Sequence, residues 1–261
     1  MRLAIISDVH ANLEALQATL DEISRDAVDR ILCLGDIVGY NADPAECIGL
    51  LRERDALCVA GNHDRAVVGH ISTETFPPVA ARAVAWTRSR LGAEALDFLA
   101  GLPLTLAIGC ELVAVHGALH PDCGRELVRL DTEEARRLSF AALAAHPSGA
   151  RVCAFGHTHR LGVYEYRAGA QAEREREEAT LRDDTAYLVN PGSVGQPRSA
   201  ERRATYLVLD TAGRSVTPRH VAYDAAAVWA KTRAAGLAPR AHPIPAPVRR
   251  VLRRAMRAVG R

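Results

Sequence analysis

Hydrophobic positions in the first third of the chain fall into short unbroken runs, LAIIS, RILCLG and ALCVAG. The segments between them carry apolar residues at helical spacing, one from about Ala11 and another from about Asp43. Unbroken apolar runs of this length suit strands buried on both faces, and their alternation with amphipathic helices predicts β-α-β units around a parallel sheet. From Thr73 to Gly101, Ala and Leu positions with Trp86 and Phe98 recur at helical intervals until Gly101 and Pro103 end the pattern, so this stretch is predicted to be mostly helical. LTLAIG and ELVAVHG then flank Gly109-Cys110 as the arms of a hairpin would. A helix from about Thr132 to Ala145 precedes the run ARVCAFG.

After that the pattern changes. LGVYEY, AYLVN, TYLVLD and SVTPRHVAY are short, alternating and separated by turn-like segments, which predicts antiparallel strands in a second sheet. Two sheets packed face to face with helices outside accommodate both halves in one α/β domain over residues 1–238. Between LGVYEY and AYLVN, the stretch from Glu173 to Asp184 is dense in charge and is predicted to be a solvated loop or a short exposed helix. The tail, residues 239–261, is rich first in proline and then in arginine, with Val248, Val251, Leu252 and Met256 near one helical face. Such a tail docks on the domain, frays, lies on an anionic membrane or touches nucleic acid.

Composition narrows the class. Hydrophobic residues at 48% and charged residues at 25% of 261 are those of an ordinary globular protein. A net charge of +2 from 33 basic and 31 acidic side chains is too balanced to imply a polyanion-binding surface over the whole molecule. The six cysteines include no C-x-x-C pair, and several sit inside apolar runs, so they read as buried thiols. The apolar run in MRLAIISDVH is too short for a signal peptide, and no stretch approaches the ~18 apolar residues of a membrane span, which makes the cytoplasm the expected location.

The chemistry gathers where apolar runs end. The first run stops at Asp8 and His10, and on an extended segment side chains two apart point the same way. The second stops at Gly35-Asp36, and the third at Gly61-Asn62-His63-Asp64. ELVAVHG delivers His116, and ARVCAFGHTH delivers His157 and His159. Five of the ten histidines thus follow an apolar run directly, at the rim where open α/β sheets place ligands. His70, His120, His146, His220 and His242 lack that context and are assigned to surface or packing. Imidazoles and carboxylates without thiolates suit divalent Mn, Fe, Co, Ni or Zn. Seven candidates are too many for one ion, whereas two ions ~3.5–4 Å apart that share a carboxylate would use them all and leave positions open for water and an oxyanion.

Taken together, D-x-H (Asp8, His10), G-D (Asp36), G-N-H-D (Asn62 to Asp64), H-G (His116) and G-H-x-H (His157, His159) resemble the calcineurin-like metallophosphoesterase superfamily. The resemblance runs from residue 3 to about residue 237, and VNPGSVGQPR is similar to the small bacterial and archaeal branch. It implies a four-layer α/β/β/α sandwich of two facing mixed β-sheets with a dinuclear site at the strand ends. It also implies Asp8, His10 and His159 on one ion, Asn62, His116 and His157 on the other, and Asp36 bridging. Every ligand position is filled; the departure is Ala11, where related sequences often have glycine. Two divalent transition-metal ions are therefore expected as cofactors, manganese first.

The expected function is metal-dependent hydrolysis of a phosphate ester, diester or monoester, by a metal-bound hydroxide, since a bound cation lowers the pKa of water to ~7. The substrate class is a phosphate-ester small molecule or a nucleotide. The resemblance gives His63 a contact to phosphate or leaving-group oxygen, hence a general-acid role, with Asp64 orienting its imidazole or capping a helix. Arg65 and Arg198 are candidates for phosphate contact, and Asn190-Pro191-Gly192-Ser193 shapes a turn beneath the site. No G-x-S-x-G elbow and no phosphate-binding G-x-x-x-x-G-K-[ST] loop occurs. Two alternatives stand beside this function: a non-catalytic metal- or nucleotide-binding scaffold on the same fold, and a nuclease that gathers nucleic acid with its basic tail.

Overall fold

The computed structural model describes residues 1–174, 178–198 and 202–238. The Pro- and Arg-rich segment 239–261 lies outside the described residues, as does 175–177 of the charged stretch. In chain order the elements are β1 (Arg2–Ile6), α1 (Leu13–Ile23), β2 (Arg30–Cys33), α2 (Pro44–Glu53), β3 (Leu57–Cys58), α3 (Asn62–Val68), α4 (Pro78–Arg90) and α5 (Ala93–Ala100). The hairpin β4 (Thr105–Ile108) and β5 (Leu112–Val115) follows, then α6 (Glu133–Ala144), β6 (Val152–Ala154), β7 (Leu161–Arg167), β8 (Ala170–Arg174) and β9 (Ala179–Thr180). Last come β10 (Ala186–Pro191), β11 (Ala204–Asp210), β12 (Ser215–Val221) and α7 (Ala225–Ala234). Helix starts obey local chemistry. The Asn12 and Thr132 side chains accept from Ala15 N and Ala135 N, while Pro44 and Pro78 open α2 and α4, where a missing N–H costs nothing.

The strands form two mixed six-stranded sheets, ordered β3-β2-β1-β11-β12-β9 and β4-β5-β6-β10-β7-β8. Alternation along β1 shows how they stack. Leu3 and Ile5 meet Leu112, Ala114, Val152 and Val189 of the second sheet, whereas Ala4 and Ile6 meet Ala15, Leu16 and Leu20 of α1 and Ile48 of α2. On the far face of the second sheet, Val113, Val115, Cys153 and Leu188 pack on Phe140 and Leu143 of α6. The layers therefore run helices, sheet, sheet, helix. Both faces of each central strand are buried, which is why β1, β2 and β5 read as unbroken apolar runs.

Three expectations are corrected. The later strands do not make a second sheet of their own: β11 takes the free edge of β1 antiparallel, Ala4 opposite Val208, while β7 and β10 join β5 and β6. Alternation fixes which face a residue takes, not which sheet its strand enters. The charged stretch is partly strand. A turn at Ala168-Gly169, both with positive φ, folds β8 back on β7, and β9 pairs with β12. Both are edge strands, where charge discourages pairing with other chains. Of the six thiols, Cys110 and Cys123 are exposed, the former at the hairpin tip.

Distant segments are also tied by charge. Tyr206 and Arg219 are cross-strand partners on β11 and β12, and both reach Asp26, just beyond α1: the tyrosine hydroxyl donates at 2.6 Å and Arg219 Nη2 at 3.0 Å. Burial alone would raise the Asp26 pKa, but the hydrogen bonds from Arg219 and Tyr206 outweigh it and hold the carboxyl below its ordinary value. A depressed carboxyl stabilises the fold at neutral pH, and that contribution is lost as the pH falls through its folded-state value. Asp26→Asn is expected to lower stability by about 1–2 kcal/mol at neutral pH. In urea denaturation the gap between variant and wild type should close in acid, below the ordinary carboxylate range.

Candidate metal centre

The carboxyl ends of β1, β2, β3, β5 and β6 converge at the seam between the sheets, and each hands its next few residues to one buried cluster. The segments that follow are not extended. Asp8, His10, Asp36, His157 and His159 all take left-handed φ values between 50° and 61°, as does Ala11 at 51°. Asp and His tolerate this region better than most residues, yet each such position costs on the order of 1 kcal/mol. A ladder of main-chain bonds between loops holds them there: Asp8 N to Gly35 O at 3.0 Å, His10 N to Asp36 O at 2.9 Å, Gly156 N to His116 O at 2.7 Å and Gly195 N to Asp8 O at 2.9 Å. Asp8 and His10 thus share a site by virtue of two tight turns, not an extended backbone.

Asp8 lies fully buried. Its Oδ2 accepts from Ser7 Oγ at 2.6 Å and from His157 N at 3.1 Å. Its Oδ1 has no hydrogen-bond donor and sits 3.2 Å from His159 Nε2 and 3.8 Å from His10 Nε2. Asp36 spends Oδ1 on His63 N at 2.8 Å. Its Oδ2 faces two rings at once, 3.4 Å from His116 Nε2 and 3.7 Å from His10 Nε2. Asn62 Oδ1 is 3.1 Å from His116 Nε2. Across the cluster His10 Nε2 lies 3.2 Å from His159 Nε2, and His116 Nε2 lies 3.2 Å from His157 Nδ1.

The outer nitrogens fix the ring states. His10 Nδ1 meets Val38 O at 3.2 Å, His116 Nδ1 meets Leu34 O at 2.7 Å and His159 Nδ1 meets Gln196 O at 2.8 Å. A carbonyl only accepts, so each Nδ1 carries hydrogen, and in a neutral ring the inward Nε2 holds the lone pair. Burial pushes His10 and His157 down to about 3, so both rings are neutral at pH 7. Burial opposes ionisation of Asp8, but the neighbouring His159 charge wins and keeps it ionised; His116 does the same for Asp36. His116 differs. Burial lowers it, yet the Asp36 carboxylate raises it to about 9, and a cation entering there must displace that proton.

Among the described residues three groups of donors lie close enough to hold an ion: Asp8, His10 and His159; Asp36, His116 and His157; and His10, Asp36 and His63. Neutral ring nitrogens, ionised carboxylates and an orphaned, buried carboxylate oxygen are the donor set that borderline divalent cations take. The cluster fits such cations.

Around it the other expected residues divide. His63 stands in the first turn of α3, with its ring packed on Tyr40 at 4.7 Å, His10 at 4.9 Å and Phe76 at 5.3 Å, and burial lowers its pKa. Asp64 does not orient it. Its two oxygens accept from Val38 N at 3.2 Å and Gly61 N at 2.9 Å, closing the capping box of α3, and burial followed by the Asp36 charge lifts its pKa to about 7. Arg65 Nε lies 2.9 Å from a carboxylate oxygen of buried Glu126. Arg198 is exposed, and partial covering together with the like charge of Arg129 lowers its pKa. Ser193 Oγ donates to Asp8 O and Asn190 Nδ2 to Gly156 O, both at 2.9 Å, so the expected turn does underlie the site.

Tyr40 and Arg129 escaped sequence reasoning. Tyr40 edges against His10 at 4.7 Å after a glycine turn in GDIVGY, a signal that could have been read. Arg129 donates to His157 O at 3.0 Å from a segment with no periodic pattern, and only tertiary packing brings it there.

Residues 1–214 match the calcineurin-like phosphoesterase superfamily domain. The uncharacterized protein MJ0912 of Methanocaldococcus jannaschii is 34% identical over 226 residues, which cover 85% of this chain and 88% of that protein. Among solved structures, a metallophosphoesterase from Sphaerobacter thermophilus superposes with a TM-score of 0.76 at 36% identity, covering 90% of this chain and 95% of the other. The hypothetical protein PH1004 from Pyrococcus horikoshii OT3 does so at 0.73 and 18%, covering 92% and 94%, and bears on the fold alone. Two facing mixed sheets with Asp and His clusters at their seam and this match across most of the chain agree: the chain belongs to the calcineurin-like phosphoesterase superfamily.

Proposed function

We propose that the protein hydrolyses phosphate esters at a centre of two divalent transition-metal cations, manganese first among them. Asp8, His10 and His159 would hold one, Asn62, His116 and His157 the other, and Asp36 would lie between. The observation that carries this reading is the single oxygen Asp36 Oδ2, within 3.7 Å of His10 on one side and 3.4 Å of His116 on the other. A cation pair bound there supplies the Lewis acidity that activates water at neutral pH and offsets charge on the phosphoryl oxygens.

The chain's own residues do the rest. The carbonyls of Val38, Leu34 and Gln196 orient three of the imidazoles, and Ser7 and the His157 amide orient Asp8. His63 is held by ring contacts with no partner on Nδ1, and a phosphate anion beside it favours its protonated form, which suits a general acid for the leaving-group oxygen. Arg198 at the rim, with Arg129 beside it, would meet the outer phosphate oxygens. A phosphate-ester small molecule or a nucleotide fits this chemistry. Among the described residues no helix is long and apolar enough to cross a membrane.

Protein loaded with Mn²⁺, Ni²⁺ or Zn²⁺ is expected to turn over bis-p-nitrophenyl phosphate or p-nitrophenyl phosphate and to lose that activity with EDTA. Metal-loaded protein inert to both would overturn the reading. His63→Ala should reduce turnover ~10²–10⁴-fold with metal content unchanged by elemental analysis. A Cβ at Gly61 would collide with Asp36 Oδ1 and its amide nitrogen, so Gly61→Ala should displace the shared carboxylate. Equilibrium dialysis should then show fewer than two bound Mn²⁺ per chain.

A further inference from the structure

Two residues of the centre have a second face. Tyr40, packed on His10 and His63, and Gln196, whose carbonyl orients His159, both line a cavity of about 390 Å³ beside the cluster. Tyr223, Val228, Trp229 and Arg202 also line it, and its lining is largely apolar. The volume falls within the ~300–1,000 Å³ of small-molecule sites.

The cavity is preformed. Asn12 Nδ2 donates to Gly195 O at 2.8 Å, and Asn41 Nδ2 donates to His10 O at 2.9 Å while its Oδ1 accepts from Thr232 Oγ1 at 3.1 Å, which joins α7 directly to the metal-ligand loop. Lys231 pins the same helix to Glu14 at 2.7 Å and Asp43 at 2.6 Å. By contrast, the Gln196 carboxamide and the Arg202 guanidinium make no hydrogen bond or ion pair with another described residue. Trp229 is 52% exposed, the only exposed aromatic side chain among the large exposed hydrophobics of the described residues. Aromatic faces, an amide and a cation, adjoining a phosphoryl site, make a receptor for a flat, hydrogen-bonding group joined to an anion.

We propose that this cavity receives the nucleoside of a nucleotide ester, its base against Tyr223 and Trp229 and its polar edge toward Gln196. The proposal rests on phosphate-ester hydrolysis at the neighbouring centre. Two diesters with the same leaving group isolate it: thymidine 5′-(p-nitrophenyl phosphate) and methyl p-nitrophenyl phosphate, assayed with the full Mn²⁺-loaded chain. Base stacking on an aromatic side chain is worth about 1–3 kcal/mol, so Trp229→Ala should raise KM for the thymidine ester about 5- to 150-fold and leave the methyl ester within about twofold. Equal effects on both esters, or none on either, would overturn the proposal, as would a phenyl diester that loses as much as the thymidine one. If the wild type turns over neither diester, diester hydrolysis fails, and p-nitrophenyl phosphate reads monoester hydrolysis separately. Thymidine monophosphate binding then decides the cavity, read as the fluorescence quench that Trp229→Phe abolishes; no quench overturns the nucleoside site.

Discussion

Two pairs of imidazole nitrogens face each other across 3.2 Å, His10 with His159 and His116 with His157. The outer nitrogens of His10, His116 and His159 are bound to carbonyls, which turns their inward nitrogens toward the carboxylates of Asp8 and Asp36 and crowds four ring nitrogens around two acids. The rest of the architecture holds that crowding in place. Five strand ends from two sheets are laced together by main-chain hydrogen bonds, and five of the seven donors sit on left-handed backbone that the lacing enforces. The two sheets must therefore be stacked in register for the cluster to exist, since β1 and β2 carry Asp8, His10 and Asp36 while β5 and β6 carry His116, His157 and His159.

Charge is graded outward from this centre. Innermost are the ionised carboxylates of Asp8 and Asp36 and the neutral rings of His10 and His157. Next comes an aromatic sleeve of Tyr40, His63 and Phe76 that excludes water from one side. Outermost are the guanidiniums of Arg129 and Arg198, and partial covering followed by the like charge of Arg129 lowers the pKa of Arg198. An anionic group approaching from solvent meets the cations first, which steers it inward before it loses hydration.

Much of this was legible in residue order, because two strong physical signals coincide. A strand buried on both faces must be apolar throughout, so a carboxylate or imidazole at its end stands out; Asp8, Asp36, His116 and His157 were found that way. What stayed hidden depends on partners far along the chain. Nothing local says that TYLVLD pairs with β1 instead of with AYLVN, because either edge would bury the same alternating face. Asp64 and Arg65 looked available because their partners, the amides of Val38 and Gly61 and the carboxylate of Glu126, come from backbone and from a loop with no periodicity. The helix α7, which closes the aromatic cavity, carries little amphipathic contrast in AAAVWAKTRA and left no periodic mark.

The pairing of β1 with β11 has a temporal meaning. Leu3, Ala4 and Ile5 bond to Leu209, Val208 and Leu207, some two hundred residues away. A nascent chain carries its first strand without that neighbour until the intervening residues have been made, and contacts so remote in order slow folding and expose unpaired edges. Asp8 and His10 hang from that strand, and the Ser193 and Gly195 turn that grips Asp8 O emerges only shortly before β11. The cluster is thereby completed only once the segment around Ser193 and Gly195 has been made, and a product that stops short of it carries Asp8 and His10 without the turn that holds Asp8 in place.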